Sequence, residues 1–223
     1  MLKYKIIVAG AKDVGKSSLI NRYCDNIFNE NTLETIGVAF KRKEIKLKEN
    51  LKIELNIWDF GGEEKYRILF PAYVNGATAA LLLYDTTDKS SLEDIKNWVK
   101  IIDENSKDII KITIGTKIDL KENREISKAE AIKISETLNC YGEPLGTSSK
   151  TGENIEKVFL YTVNAIVEQE LHECTHCAKL FSIKLKICNF CGANIELNIV
   201  QQTQFYKSSS SLLYKDGGGF TPS

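Results

Sequence analysis

Gly10-Ala11-Lys12-Asp13-Val14-Gly15-Lys16-Ser17 is the stretch that decides how this chain is read. It fits G-x-x-x-x-G-K-[ST] and stands between an apolar, β-branched run, Tyr4–Ala9, and a helical pattern beginning near Ser18. A strand that feeds a glycine-rich loop and then a helix is the context this motif needs in order to cradle phosphate. The glycines let backbone N–H groups close around phosphate oxygens, and the helix N-terminus adds its dipole. Lys16 is expected to reach the β- and γ-phosphates, and the Ser17 hydroxyl to ligate Mg²⁺.

Two further motifs extend the site. Trp58-Asp59-Phe60-Gly61-Gly62 ends an expected strand with D-x-x-G, which puts the Asp59 carboxylate where it can hold Mg²⁺ through water and the Gly62 N–H where it can meet the γ-phosphate. Thr116-Lys117-Ile118-Asp119 follows another strand as [NT]-K-x-D. A carboxylate at Asp119 accepts from both N1–H and N2–H of guanine, whereas adenine offers no such donor pair. Leaving a buried acceptor unsatisfied costs about 1–3 kcal/mol, so the base is expected to be guanine. Each short motif is weak alone; in this order, at successive strand ends, they point to one site.

The remaining pattern supports an α/β fold. Strands are expected at Tyr4–Ala9, Val38–Leu47, Leu51–Trp58, Ala79–Tyr84, Ile110–Gly115 and near Tyr141–Leu145. Only Lys48-Glu49-Asn50 separates the second from the third, so these form an antiparallel hairpin, and helices between the others imply parallel crossovers. The expected architecture is a P-loop NTPase three-layer sandwich around a six-stranded, mostly parallel sheet with one antiparallel strand. Ser90-Ser91-Leu92-Glu93 and Ser127-Lys128-Ala129-Glu130 read as capping boxes, the first ahead of Leu92, Ile95, Val99 and Ile102, the second ahead of Ile132 and Ile134. A last helix carries Ile155, Val158, Phe159, Thr162, Val163, Ile166 and Val167. Thirty basic and thirty acidic residues cancel, so global charge does not argue for nucleic acid or an anionic membrane. No apolar run approaches the roughly 18 residues of a membrane span, no signal peptide is evident, and Leu2 stands where N-myristoylation needs glycine. A cytoplasmic chain is expected.

Residues 1–170 resemble a small GTPase of the Ras superfamily, closest to the Rab branch. The segments that carry the resemblance are Phe28 with Thr35-Ile36-Gly37-Val38, Trp58-Asp59, Tyr73 with Gly76-Ala77, Tyr84-Asp85-Thr86-Thr87-Asp88, and Thr147-Ser148-Ser149-Lys150-Thr151-Gly152-Glu153-Asn154. The resemblance implies that Phe28 stacks beside the guanine, that Thr35 binds Mg²⁺ and the γ-phosphate, and that Ser149 donates its backbone N–H to guanine O6. Lys117 and Lys150 would line the base. The nucleotide-binding set is then Gly10, Asp13, Val14, Gly15, Lys16, Ser17, Ser18, Phe28, Thr35, Gly62, Thr116, Lys117, Asp119, Ser148, Ser149 and Lys150, with Ser17, Thr35 and Asp59 toward Mg²⁺. Phe40, Trp58 and Tyr73 match the aromatic patch through which Rab proteins meet effectors, although Trp58 reads equally well as core. Exchange and activating factors would act on the switches near Thr35 and Gly62–Arg67. Thr116 replaces the commoner Asn, as it does in the Rho branch.

Three positions depart from the pattern. Glu63 stands where relatives carry the glutamine that orients the attacking water. An ionised glutamate can only accept hydrogen bonds, and it brings negative charge toward an anionic phosphate. This implies slow hydrolysis, or a basic role for Glu63 if a cation lies nearby. Lys12 occupies a position usually small, and it either points to solvent or pairs with Glu63 across the γ-phosphate. Lys12, Lys16, Thr35, Gly62 and Glu63 are the candidate catalytic residues. Asp13 adds an acid to the loop, solvated, lysine-paired or holding a monovalent cation. The terminal Gly219-Phe220-Thr221-Pro222-Ser223 lacks the prenylated cysteines of Rab and Ras proteins, so no prenyl anchor is expected.

Of the six cysteines, Cys24 and Cys140 stand alone and are expected to be buried, while Cys174, Cys177, Cys188 and Cys191 form C-x₂-C…C-x₂-C. Four thiolates suit tetrahedral Zn²⁺ with no open position, hence a structural site. Gly192 suits a knuckle turn, and Leu180, Ile183, Leu185 and Ile187 alternate within the gap 178–187 as in a minimal β-hairpin. Disulfides or a redox pair are the alternative, and His172 and His176 read as bystanders. The expected organisation is a GTPase domain over 1–170, a zinc ribbon over 171–197 and a polar tail over 198–223. Lys179, Lys184 and Lys186 permit nucleic-acid binding without favouring it over a protein partner. The leading function is a nucleotide-dependent switch with slow GTP hydrolysis. The rival is a GTP-bound scaffold that hardly hydrolyses and uses its ribbon to bind a protein or nucleic acid.

Overall fold

The computed structural model describes residues 2–30, 35–48, 51–62, 64–106 and 108–194. The chain runs β1 (Leu2–Gly10), α1 (Lys16–Asp25), β2 (Val38–Lys48), β3 (Leu51–Phe60), a 3-10 turn (Glu64–Leu69), α2 (Phe70–Val74), β4 (Ala79–Asp85), α3 (Lys89–Asn105), β5 (Ile110–Thr116), α4 (Lys128–Thr137), β6 (Leu145–Gly146), α5 (Ile155–Glu170), β7 (Leu171–Glu173) and β8 (Leu180–Ser182). It divides into two compact units, with the division between Ala165 and Ile166, inside α5.

In the first unit six strands form one sheet in the order β2-β3-β1-β4-β5-β6. Only β2 is antiparallel, pairing Val38 with Phe60 through Lys48 with Leu51. Burial explains the strand compositions. All seven residues of β4 are buried, as are Ile6 through Ala9 of β1, because a parallel sheet is covered on both faces. Ile7, Ala9, Ala80, Leu82 and Tyr84 pack with Leu92, Ile95, Trp98, Val99 and Ile102 of α3. Ile6, Val8, Leu81 and Leu83 alternate onto the other face and are equally buried. Tyr23 of α1 and Phe159 of α5 stack with ring centroids 3.6 Å apart.

Four local expectations need correction. The cap of α3 is Asp88, whose side chain accepts from the Ser90 N–H at 2.9 Å, so the helix begins at Lys89, before the expected box. The Ser127–Glu130 capping box is present, but α4 buries Ala131 and Ser135, while Ile132 and Ile134 are half-buried. The Ser135 hydroxyl is what the sheet needs there, since it accepts from the buried Thr113 hydroxyl at 3.0 Å. The sixth strand is only Leu145–Gly146: Gly142 turns the chain at φ 62, and Pro144 has no N–H to pair. Cys24 and Cys140 are half-buried, not buried.

The second unit is a small hairpin assembly. β7 and β8 pair antiparallel, His172 opposite Phe181, and a single bridge joins Ile187 to Asn194. The hairpin expected within 178–187 therefore forms differently: Leu180–Ser182 pairs back across the first cysteine turn. Phe181, buried with Cys174 and Cys188, is the core residue, while Ile183, Leu185 and Ile187 are exposed. The tail from 198 lies outside the described residues. Among the described residues no helix is long and apolar enough to cross a membrane.

The corrected cap yields a test. Asp88→Ala should destabilise the chain by about 1 kcal/mol in urea unfolding, and Ser90→Ala by less than about half of that. Equal losses would contradict Asp88 as the cap.

Candidate functional site: a nucleotide cleft and a four-cysteine cluster

The loop after β1 is shaped by backbone constraints. Gly10 adopts φ 148, and a Cβ there would run into the Leu83 carbonyl of β4. Across the loop, a Cβ on Gly62 would lie 2.5 Å from both the Ala11 carbonyl oxygen and Lys16 Nζ, so this close approach also requires glycine. Lys16 is buried, and its Nζ donates to the carbonyls of Gly10 at 2.9 Å and Ala11 at 2.6 Å. Burial pushes its ammonium down to about 8, partly offset by Asp59 and Asp13.

Three oxygen-bearing side chains converge beside Lys16. Ser17 Oγ donates to Asp59 Oδ2 at 2.5 Å and lies 2.7 Å from Thr35 Oγ1, which in turn donates to Asp59 Oδ2 at 3.2 Å. Asp59 is buried, which raises its carboxyl above the ordinary range, and its Oδ1 has no hydrogen-bond partner. Hydroxyl and carboxylate oxygens around an orphaned, buried carboxylate oxygen fit a hard divalent cation.

These groups open onto a cavity of about 460 Å³ whose lining includes Lys12, Asp13, Gly15, Lys16, Ser17, Ser18, Phe28, Thr35, Gly62, Thr116, Lys117, Asp119, Ser149 and Lys150. The fold therefore gathers most of the expected nucleotide set at one end of the sheet. Val14 and Ser148 are buried behind it. The Val14 carbonyl accepts from Thr116 Oγ1 at 2.7 Å, and this hydroxyl also donates to the Tyr84 carbonyl at 3.0 Å. Thr116 thus ties the phosphate loop to β4 and β5. Ser148 accepts from the Thr151 N–H at 3.1 Å and shapes the turn that carries Ser149 and Lys150. Lys12 and Asp13 are exposed, Asp13 with φ 61. Glu63 lies outside the described residues, and with it the expected Lys12–Glu63 pair.

Sequence reasoning missed three groups here. Asn29 and Glu30 also line the cavity, and Glu30 pairs with Lys150 at 2.8 Å. Asp85 pairs with Lys117 at 2.6 Å, fixing a residue held at φ 57. Asp85 ends β4 at the carboxyl edge of the parallel strands, where α/β sheets bind ligands, so its position was a usable signal.

Away from the cleft, Phe40, Trp58 and Tyr73 form a contiguous aromatic strip, with centroids 4.9 Å and 5.3 Å apart. Phe40 is 46% exposed, and Trp58 and Tyr73 are half-buried against the core. Trp58 therefore packs partly into the core while remaining part of the partly exposed strip. Lys5 Nζ sits 5.3 Å from the Trp58 ring centroid.

In the second unit the sulfurs of Cys174, Cys177, Cys188 and Cys191 lie within 4.8 Å of one another. Cys174 and Cys191 are 3.6 Å apart, and Cys177 and Cys188 3.8 Å, far beyond a disulfide. Zn–S bonds of about 2.3 Å in a tetrahedron require sulfur separations of roughly 3.8 Å, so the cluster fits zinc. The two turns share one hydrogen-bond pattern. Ala178 N–H donates to the Cys174 carbonyl at 2.8 Å, and Gly192 N–H to that of Cys188 at 2.9 Å. Ala178 takes the left-handed φ 54 that Gly192 takes at φ 74. Backbone N–H groups of Cys177 and His176 lower the Cys174 thiol, while the crowded neighbouring sulfurs raise those of Cys177 and Cys191. Neither histidine belongs to the four-ligand group.

A phosphate loop, an oxygen cluster for a hard cation and a base-end [NT]-K-x-D motif on one strand edge define a nucleotide-binding P-loop protein. The chain belongs to the Ras family, whose match spans residues 5–168; it is a Rab-like small GTPase. It is 39% identical over 168 residues to Ras-related protein Rab-1 of Theileria parva, covering 74% of this chain and 75% of that protein. It is 36% identical over 185 residues to Ras-related protein RABE1e of Arabidopsis thaliana, covering 81% and 82%. It is 37% identical over 158 residues to Ras-related protein Rab-8B of Homo sapiens, covering 70% and 74%.

The burial of Lys16 predicts that nucleotide binding is pH-linked: phosphate oxygens brought within its reach would return the ammonium toward its ordinary 10.5, so binding would take up a proton wherever the free site has lost one. Uptake should be near zero below about pH 7, rise as pH passes about 8, and approach one proton near about pH 9. Calorimetric titration with nucleotide in buffers of different ionisation enthalpy measures this. Buffer-independent heats across that range would show that Lys16 is not perturbed.

Proposed function

We propose that this chain is a GTP/GDP switch that binds its nucleotide with Mg²⁺, hydrolyses GTP slowly and carries a structural zinc ribbon. The observation that carries the reading is the Ser17–Thr35–Asp59 oxygen cluster with its orphaned Asp59 Oδ1, set beside the buried Lys16. Ser17 and Thr35 would hold Mg²⁺ directly and Asp59 through water. Bound there, Mg²⁺ neutralises charge on the β- and γ-phosphate oxygens. Lys16 would bind the same phosphates, and the Gly62 N–H the γ-phosphate. At the other end of the cleft Phe28 would stack on the base, Asp119 accept from it, Ser149 donate to its O6, and Lys117 and Lys150 flank it.

Glu63 and Lys12 set the hydrolysis rate in this reading. A carboxylate at 63 repels the γ-phosphate and cannot donate to it, so turnover is slow. The Phe40–Trp58–Tyr73 strip, with Ile36 82% and Ile68 83% exposed nearby in sequence, would receive effectors in the cytoplasm as the switches order. The ribbon would serve as a partner-binding module whose fold depends on its metal.

Experiments on the cleft and on the ribbon test these assignments separately. For the cleft, Asp119→Asn should lower GTP affinity by at least about 100-fold, since the site would then present a donor to guanine's own donors. Glu63→Gln should raise the single-turnover GTP rate above wild type; a fall would make Glu63 a base, and an unchanged Lys12→Ala rate would remove Lys12 from catalysis. For the ribbon, metal analysis of the full chain should find about one zinc. Cys188→Ser or a strong chelator should remove it and abolish amide-exchange protection in 171–182. A full chain with native protection and no zinc would refute the metal assignment.

A further inference from the structure

Aromatic rings fasten both ends of the stretch 61–69. Phe60, at the end of β3 and lining the cavity, meets Phe70 edge-on at 4.8 Å. Phe70 in turn meets Trp98 of α3 edge-on at 4.9 Å, and all three rings are buried. Between these anchors the backbone brings Gly62 against the Ala11 carbonyl and Lys16, then enters the 3-10 turn.

One side chain of that turn reaches α3. The Arg67 guanidinium lies over Trp98, its Cζ 4.6 Å from the ring centroid, and its NH2 group donates to Asp94 Oδ2. The same oxygen accepts the Trp98 Nε1–H at 2.9 Å, and Oδ1 accepts from the Asn97 amide at 2.9 Å. Burial opposes the charge on Asp94, yet the bonds from Arg67, Asn97 and Trp98 hold its carboxyl below the ordinary range. The pair is mostly buried, with side chains 21% and 17% exposed. Arg67 Nε is buried without a partner, so among the described residues the guanidinium meets one carboxylate and one stacked face. Taking away the Asp94 charge would leave that cation buried on stacking alone.

We propose that Asp94 is a positioning residue for GTP hydrolysis: through Arg67 it latches the turn Glu64–Leu69 to α3 and so steadies the segment that presents Gly62 at the phosphate end of the cleft. The proposal rests on the GTPase reading above. A displacement of about 1 Å in a group that meets the reacting phosphate, such as the Gly62 N–H, can lower a rate up to about 100-fold. Neither Arg67 nor Asp94 lines the described cavity, so GDP affinity should be insensitive to both.

The test is a double-mutant cycle in the full chain, read by single-turnover GTP hydrolysis and by GDP affinity. Asp94→Asn and Arg67→Gln should each slow hydrolysis about tenfold with GDP affinity changed less than about twofold, and the double variant should be no slower than either. A wild-type rate in Asp94→Asn, or losses that add in the double variant, would overturn the latch. If Asp94→Asn does not fold, Trp98→Phe keeps the ring and removes only the Nε1–H; a rate lower by about threefold supports the latch and an unchanged one overturns it. No turnover in the wild type defeats the GTPase reading and the latch together. Normal wild-type turnover with an indifferent Asp94→Asn defeats the latch alone.

Discussion

A lysine ammonium buried under a loop of its own backbone carbonyls is the constraint on which the first unit of this protein depends. Such a charge is tolerated only where oxygens surround it, and the carbonyls of Gly10 and Ala11 supply them. Those carbonyls can point inward only because Gly10 packs without a Cβ against Leu83 and Gly62 comes equally close from β3's end. The same crowding carries Asp59 beside Ser17 and Thr35.

The sheet makes that arrangement possible. β4 is buried along its whole length, so its neighbours β1 and β5 are fixed on either side, and the loops that leave their carboxyl ends start from rigid positions. Thr116 adds a direct tie, because one buried hydroxyl serves both the phosphate loop and β4. Precision in the cleft thus follows from a packed core that lies behind it, and the Phe60–Phe70–Trp98 rings extend the same core beneath the switch segment.

The second unit is stabilised on different terms. Among the described residues its cysteine end packs around Phe181 with Cys174 and Cys188, too small a cluster to hold without help. Two turns of one pattern present the four thiols, and the first accepts left-handed backbone strain at Ala178 where the second uses Gly192. A non-glycine residue at such a position persists only where its surroundings dictate the conformation, and a metal bound by both turns would do so.

Much of the fold and of the cleft was legible in the chain itself. Strand runs, the Lys48–Asn50 turn and three short motifs carry their meaning in local order, since backbone geometry within a few residues determines what a glycine or a strand-ending aspartate can do. The sequence likewise specified four cysteines at ligand spacing. Tertiary structure decided what depends on distant partners. Asp88 displaced Ser90 as the cap because its own side chain reaches the Ser90 N–H, whereas Phe181 displaced its apolar neighbours because the strand pairs backward onto Leu171–Glu173. The Asp85–Lys117 and Arg67–Asp94 pairs join residues far apart in the chain; a strand end marks Asp85 as a site candidate, but no local pattern names either residue's partner. Periodicity reports which face a residue occupies; only the folded chain fixes which charge it meets there.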